Sequence, residues 1–132
     1  MLRNDGYEQL LTQTNNEFKL SVSAVNPNGC AKEGTLTLCV GSAKNFKRNQ
    51  QEFKVGQRPM GTEYNFQYTN PHRSSIVIAL YNRKSFWSQD QELGKTEITL
   101  DKFDANYPCE REVQLGENGP RVMIRAQRTE NF

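Results

Sequence analysis

The sequence predicts an all-β domain, an antiparallel eight-stranded β-sandwich. Three observations carry that expectation. Apolar residues recur with a period of two in short runs, the signature of half-buried strands. Turn residues (Pro, Gly, Asn, Asp) punctuate those runs at roughly even intervals. No segment carries a helical period beyond a turn or two.

The 132 residues suit one domain, divided here into an N-terminal extension (1–16), a sandwich (17–127) and a tail (128–132). In the extension, Tyr7, Leu10 and Leu11 have the spacing of a short helical turn, and an unanchored terminus is equally compatible with it. Glu17 to Val25 alternates, with Phe18, Leu20, Val22 and Ala24 on one face. Asn26-Pro27-Asn28-Gly29 is a turn, because Pro fixes φ and Asn-Gly supplies positive φ. Gly34 to Ser42 alternates again through Leu36, Leu38 and Val40, so the two strands are expected to lie side by side.

Gln51 to Val55 is a short strand candidate, ended by Gly56, Pro59 and Gly61. Tyr64, Phe66 and Tyr68 alternate with Asn65 and Gln67. Ser75 to Tyr81 is apolar on both faces, as a central strand should be. Leu93 to Leu100 follows, then a turn at 101–108, a strand at Cys109 to Leu115 with Val113 and Leu115 inward, a Gly-Pro turn, and Arg121 to Gln127 with Val122, Ile124 and Ala126 inward. The tail from Arg128 reads as loose.

Charge is uneven. Residues 44–84 contain Lys44, Lys47, Arg48, Lys54, Arg58, Arg73, Arg83 and Lys84 against Glu52 and Glu63, a local +6 in a chain of net +2. A basic face calls for an anionic partner: lipid headgroups, nucleic acid or an acidic protein. A solvated lysine-rich face is the plain alternative. Cys30, Cys39 and Cys109 have no C-x-x-C spacing, and no sequon or leader is evident, which fits a reducing, cytoplasmic setting.

Arg83-Lys84-Ser85-Phe86-Trp87 stands out, since a loop between two core strands has no packing need for Phe-Trp. Insertion into a bilayer interface or a partner, with the cations meeting anionic groups, is weighed against aromatics folding back over the sandwich end. Lys54, Arg58 and Arg73, with His72, form a second candidate basic patch, alongside Lys44, Lys47 and Arg48; edge lysines that merely discourage strand pairing are the alternative. His72, the only histidine, has no zinc-ligand companions and no placed nucleophile, so no metal, no cofactor and no catalysis are expected. Tyr64, Phe66 and Tyr68 alternate as core residues rather than as a stacking platform, so nucleic acid is not an expected partner.

The order of motifs resembles a C2 domain across residues 17–127. Val40-Gly41-Ser42-Ala43-Lys44-Asn45-Phe46 is similar to the family's strand ending before its first functional loop; Glu63-Tyr64-Asn65-Phe66 resembles its aromatic strand. Ala79-Leu80-Tyr81-Asn82 followed by Leu93-Gly94-Lys95-Thr96-Glu97-Ile98-Thr99-Leu100 is the strongest piece. The resemblance implies a sandwich that begins one strand early, as in synaptotagmins, and a shortened or missing edge strand between Ala43 and Glu63. Where calcium-binding members carry aspartates, this chain has Asn82, Lys84 and only Asp90, with no acid in 44–50; calcium needs six to eight oxygens. The expected function is a calcium-independent C2-like module docking to anionic phospholipid through Arg83, Lys84, Phe86 and Trp87, peripheral to a membrane and part of a larger chain or assembly. The alternative is a protein–protein scaffolding module with an acidic partner and no lipid.

Overall fold

The protein is represented by a computed structural model, which describes residues 5–14, 18–27, 31–44, 53–54, 63–83, 89–117 and 119–130. Nine strands are present among them: β1 (Asp5–Thr14), β2 (Phe18–Pro27), β3 (Gly34–Lys44), β4 (Phe53–Lys54), β5 (Glu63–Tyr68), β6 (Ser75–Asn82), β7 (Gln91–Thr99), β8 (Cys109–Gln114) and β9 (Arg121–Glu130). The one helical piece among the described residues is the 3-10 turn Leu100–Lys102. None of them forms a helix long and apolar enough to cross a membrane.

Two antiparallel sheets form a sandwich. One has the order β1-β2-β6-β7; the other has the order β4-β3-β9-β8, with β5 also pairing β3. The alternating residues read from sequence meet in a single core: Leu20, Val22 and Ala24 of β2, Leu36, Leu38 and Val40 of β3, Ile76, Ile78 and Leu80 of β6, and Val122, Ile124 and Ala126 of β9. Both faces of β6 are covered, with Val77 and Ala79 buried on the side away from the core, as expected for a central strand flanked by β2 and β7.

Three expectations need correction. β2 and β3 are not neighbours; they lie in opposite sheets, so the connection opened by Asn26 and Pro27 crosses the sandwich instead of closing a hairpin. Asn26 is buried and secures that crossing: its Nδ2 donates to the Gln67 carbonyl (3.1 Å), and its Oδ1 accepts from the Thr69 amide (3.3 Å). The N-terminal segment is not a helical turn but β1, paired with β2 in a register that shifts between Gln9 and Leu11; an inserted bulge residue interrupts the period of two. Residues 128–130 of the expected tail are not loose, since β9 continues through Glu130. The short edge strand between Ala43 and Glu63 is β4, whose Phe53 pairs Ala43.

Chain direction fixes two ends. β2 descends to Pro27 and β3 rises from Gly34 to Lys44; β6 rises from Ser75 to Asn82. The connections after β3, β6 and β8 therefore leave from one end. The 69–74 turn and the 100–108 segment lie at the other, where the Leu100 amide donates to Ser74 O (2.9 Å) and the Asp101 amide to Pro71 O (2.8 Å).

Candidate functional site: the loop end of the sandwich

β6 and β7 hold the 83–90 connection at its roots, with Asn82 opposite Gln91 and Phe18 on the other side of Asn82. The register between β6 and β7 slips between Leu80 and Tyr81. Leu80 keeps its side chain in the core. Tyr81 and its cross-strand partner Lys19 therefore project from the outer face. Lys19 Nζ sits 4.7 Å from the centroid of the Tyr81 ring and 3.2 Å from Asp90 Oδ2. Both charged side chains are about one-third exposed (32% and 31%), so solvent weakens the pair, but its geometry is clear. The only carboxylate of the 83–90 loop is directed towards an ammonium on β2. Sequence reading picked out Asp90 and missed Lys19, because the partner lies 71 positions away (90 against 19) and only the β2–β6 register brings it there.

Gly94 has a packing role at this end. A Cβ at that position would stand 2.2 Å from the Leu115 carbonyl oxygen. The Leu93-Gly94 pair thus lets the connection after β8 lie directly against the start of β7, with Leu115 fully buried. Gly116, at φ 84°, completes that turn. The Leu115 amide donates to Pro120 O (2.8 Å).

The predicted site residues separate. Arg83 is exposed at the root of the loop. Lys44 ends β3 opposite Arg121, and Lys54 of β4 lies opposite Ser42, both toward the loop end. Lys84, Phe86, Trp87, Lys47, Arg48 and Arg58 lie outside the described residues. Arg73 does not join this group. It is exposed in the 69–74 turn at the opposite end, about 24 Å away along the eight-residue β6. A single patch combining Lys54 with Arg73 and His72 is therefore not formed.

His72 and Asp101 meet on that opposite end, with Nδ1 3.3 Å from Oδ2. The Asp101 carboxyl is held below its usual range, chiefly by a hydrogen bond from Thr99. Desolvation opposes this, and His72 and Lys102 lower it further. Cys39 sits between Glu63 and Arg125 in register. Burial, and then Glu63, raise its thiol above the ordinary value despite Arg125, which keeps it protonated and poorly nucleophilic at neutral pH. Cys39 and Cys109 are free. Among the described residues, no three His, Cys, Asp or Glu side chains gather as a metal site.

One charged residue was wholly missed. Arg128 is buried, 8% exposed. Its Nε donates to Phe103 O (3.1 Å), and Nη1 donates to the Tyr68 hydroxyl (3.2 Å) and Glu130 Oε1 (3.0 Å). Burial alone would depress this guanidinium; the bonds to Tyr68 and Glu130 outweigh it and raise its pKa. The parity of Val122, Ile124 and Ala126 already pointed position 128 inward.

No family model matches the sequence, and no curated protein matches it. Solved structures do. The chain is similar to a C2 domain, the one lettered A, of plant extended synaptotagmin 1, with TM-score 0.60 and 8% identity, over 77% of this chain and 98% of that one. It is also similar to human GIVD cytosolic phospholipase A2 (TM-score 0.58, 11% identity, 79% of this chain and 16% of that one). A third match is a portion of extended synaptotagmin 2 made of its SMP domain and two C2 domains (TM-score 0.55, 15% identity, 76% of this chain and 26% of that one). At these identities the likeness is one of fold.

Proposed function

The fold is a C2-like β-sandwich, and we propose that it serves as a non-catalytic, calcium-independent module that docks on anionic membrane surfaces through its loop end. The supporting observation is the Lys19–Asp90 pair at 3.2 Å. It engages the one acid of the 83–90 loop, while that loop and the 44–50 stretch that continues in sequence from the end of β3 contribute Arg83, Lys84, Lys44, Lys47 and Arg48. A calcium ion needs six to eight oxygen ligands; here fixed side-chain cations take over the task of meeting anionic headgroups. Each Lys or Arg near an anionic leaflet contributes about 1 kcal/mol, so five give at most about 5 kcal/mol. Phe86 and Trp87 would add interfacial anchoring, Trp being favoured at the headgroup level. The free thiols of Cys39 and Cys109 support placement in the cytoplasm, peripheral to the membrane.

Sedimentation with liposomes tests the reading. Binding should require phosphatidylserine, persist in chelator, weaken with salt and fall in the Phe86→Ala/Trp87→Ala variant. A folded protein that sediments with no anionic liposome would defeat it and favour the alternative, a C2-like scaffold for an acidic protein partner.

A further inference from the structure

Among the described residues β7 ends its sheet: β6 lies on one side, and no strand follows it in the sheet order. The phase of its hydrogen bonds can be read from one contact. Leu100 N donates to Ser74 O, so Ser74 and Leu100 form a hydrogen-bonded pair. Alternation makes Ile76–Ile98, Ile78–Thr96 and Leu80–Gly94 the next such pairs in the β6–β7 register. The backbone N–H and C=O groups of Lys95, Glu97 and Thr99 therefore point away from β6, off the open edge. Their side chains share the outer face, and Lys95 and Glu97 are exposed. Glu97 accepts from Ser75 Oγ through Oε2 (2.5 Å), and a carboxylate has a second oxygen to offer.

We propose that β7 pairs with β7 of a second copy of this chain, antiparallel, with the two-fold axis through Thr96. That axis sets Lys95 opposite Glu97 of the second copy and Glu97 opposite its Lys95. Both are outward-facing positions, so each pair closes two backbone hydrogen bonds and brings opposite charges together on one face. On the inner face, Ile98 falls opposite Gly94, which has no side chain of its own and is covered by Leu115 and Pro120. The charges distinguish this edge from that of β8. β8 ends the other sheet, and its exposed positions Glu110, Glu112 and Gln114 carry no cation; any two-fold pairing there sets glutamate against glutamate or glutamine. Charged edges usually discourage pairing, but Lys95-Thr96-Glu97 is complementary to its own reverse. Because the paired strands run antiparallel, the loop ends of the two copies point in opposite directions.

Analytical ultracentrifugation of the full chain tests this with charge reversal. Wild type should show a monomer–dimer equilibrium that weakens with salt. K95E and E97K should each be monomeric at concentrations where wild type dimerises, since each sets like charges in register. An equimolar mixture of K95E and E97K should dimerise again, and so should the K95E/E97K double variant. Far-UV circular dichroism should be unchanged throughout, as both side chains are exposed. A wild type that stays monomeric at millimolar concentration, a dimer indifferent to the single reversals, or a mixture that fails to associate overturns the proposal.

Discussion

Replacing Arg128 with Met removes the guanidinium while keeping most of the side-chain length that packs over the Tyr68 ring, whose centroid lies 5.8 Å from Cζ. Three bonds are lost, and they are not equal. Glu130 is 37% exposed and can turn to water, so its share is small. The Tyr68 hydroxyl still donates to Thr129 O (3.2 Å), so it keeps a partner. The Phe103 carbonyl is different: its residue is fully buried, and Arg128 Nε is the donor that reaches it. Leaving a buried acceptor unpaired costs about 1–3 kcal/mol. Desolvating a cation has its own cost, which Met avoids, so the net loss should be about 2 kcal/mol. Arg128→Ala also opens a cavity, and its total should reach about 3–4 kcal/mol. Arg128→Lys should fall between wild type and Met, because one ammonium lacks the fork that serves two acceptors at once.

Urea unfolding followed by circular dichroism measures these losses. A double-mutant cycle with Tyr68→Phe separates the hydroxyl bond from the rest and should give a coupling of about 0.5–1.5 kcal/mol. If Arg128→Met is within about 0.5 kcal/mol of wild type, the range of an ordinary surface substitution, the claim that Arg128 is a structural cross-link fails.

Two further outcomes follow from the same end of the molecule. Asn26→Ala removes one acceptor and one donor that join β2 to the end of β5, and urea midpoints should show a loss of about 1–3 kcal/mol; an unchanged midpoint would mean the sheets are held without it. Asp101 has a lowered folded-state pKa, so its contribution is present above the unfolded value of about 3.9 and is lost as pH falls through the folded one. Asp101→Asn should accordingly lower the melting temperature above about pH 4 and leave it nearly unchanged at more acid pH, where the carboxyl is protonated in wild type too, so that the acid limb of the profile flattens; identical profiles would contradict the Thr99 and His72 contacts.

The strands from β2 to β9 were legible because period-two alternation is a local property and burial follows it, as in Leu36, Leu38 and Val40 of β3. Sheet membership was not. The Asn-Pro-Asn-Gly run specifies a turn, and turn chemistry does not say whether the next strand pairs or crosses. β1 was lost to its bulge, which sets Tyr7, Leu10 and Leu11 at a spacing that imitates a helix. Arg128 was missed because it was assigned to the tail, although the parity of Val122, Ile124 and Ala126 continues to position 128. At the loop end, Asp90 could be found from the motif order, but its partner Lys19 could not, since nothing in either residue's neighbourhood announces a contact across 71 positions.

The two ends of the sandwich carry different kinds of polar contact, and that separation bears on how loop variants should be interpreted. The buried polar cross-links, Asn26 to Gln67 and Thr69, Arg128 to Phe103 and Tyr68, and Thr69 to Ser74 at 3.0 Å, lie around the ends of β2, β5 and β9 away from the 83–90 loop. The charged contact described at the loop end, Lys19 to Asp90, is partly in solvent and worth at most about 1 kcal/mol. Altering Phe86 and Trp87 leaves each of those cross-links intact. A loss of liposome binding in that variant, with an unchanged urea midpoint, would therefore report on the surface rather than on the fold. A midpoint that dropped along with binding would instead place the two aromatics over the end of the core, the capping role weighed against insertion from the outset.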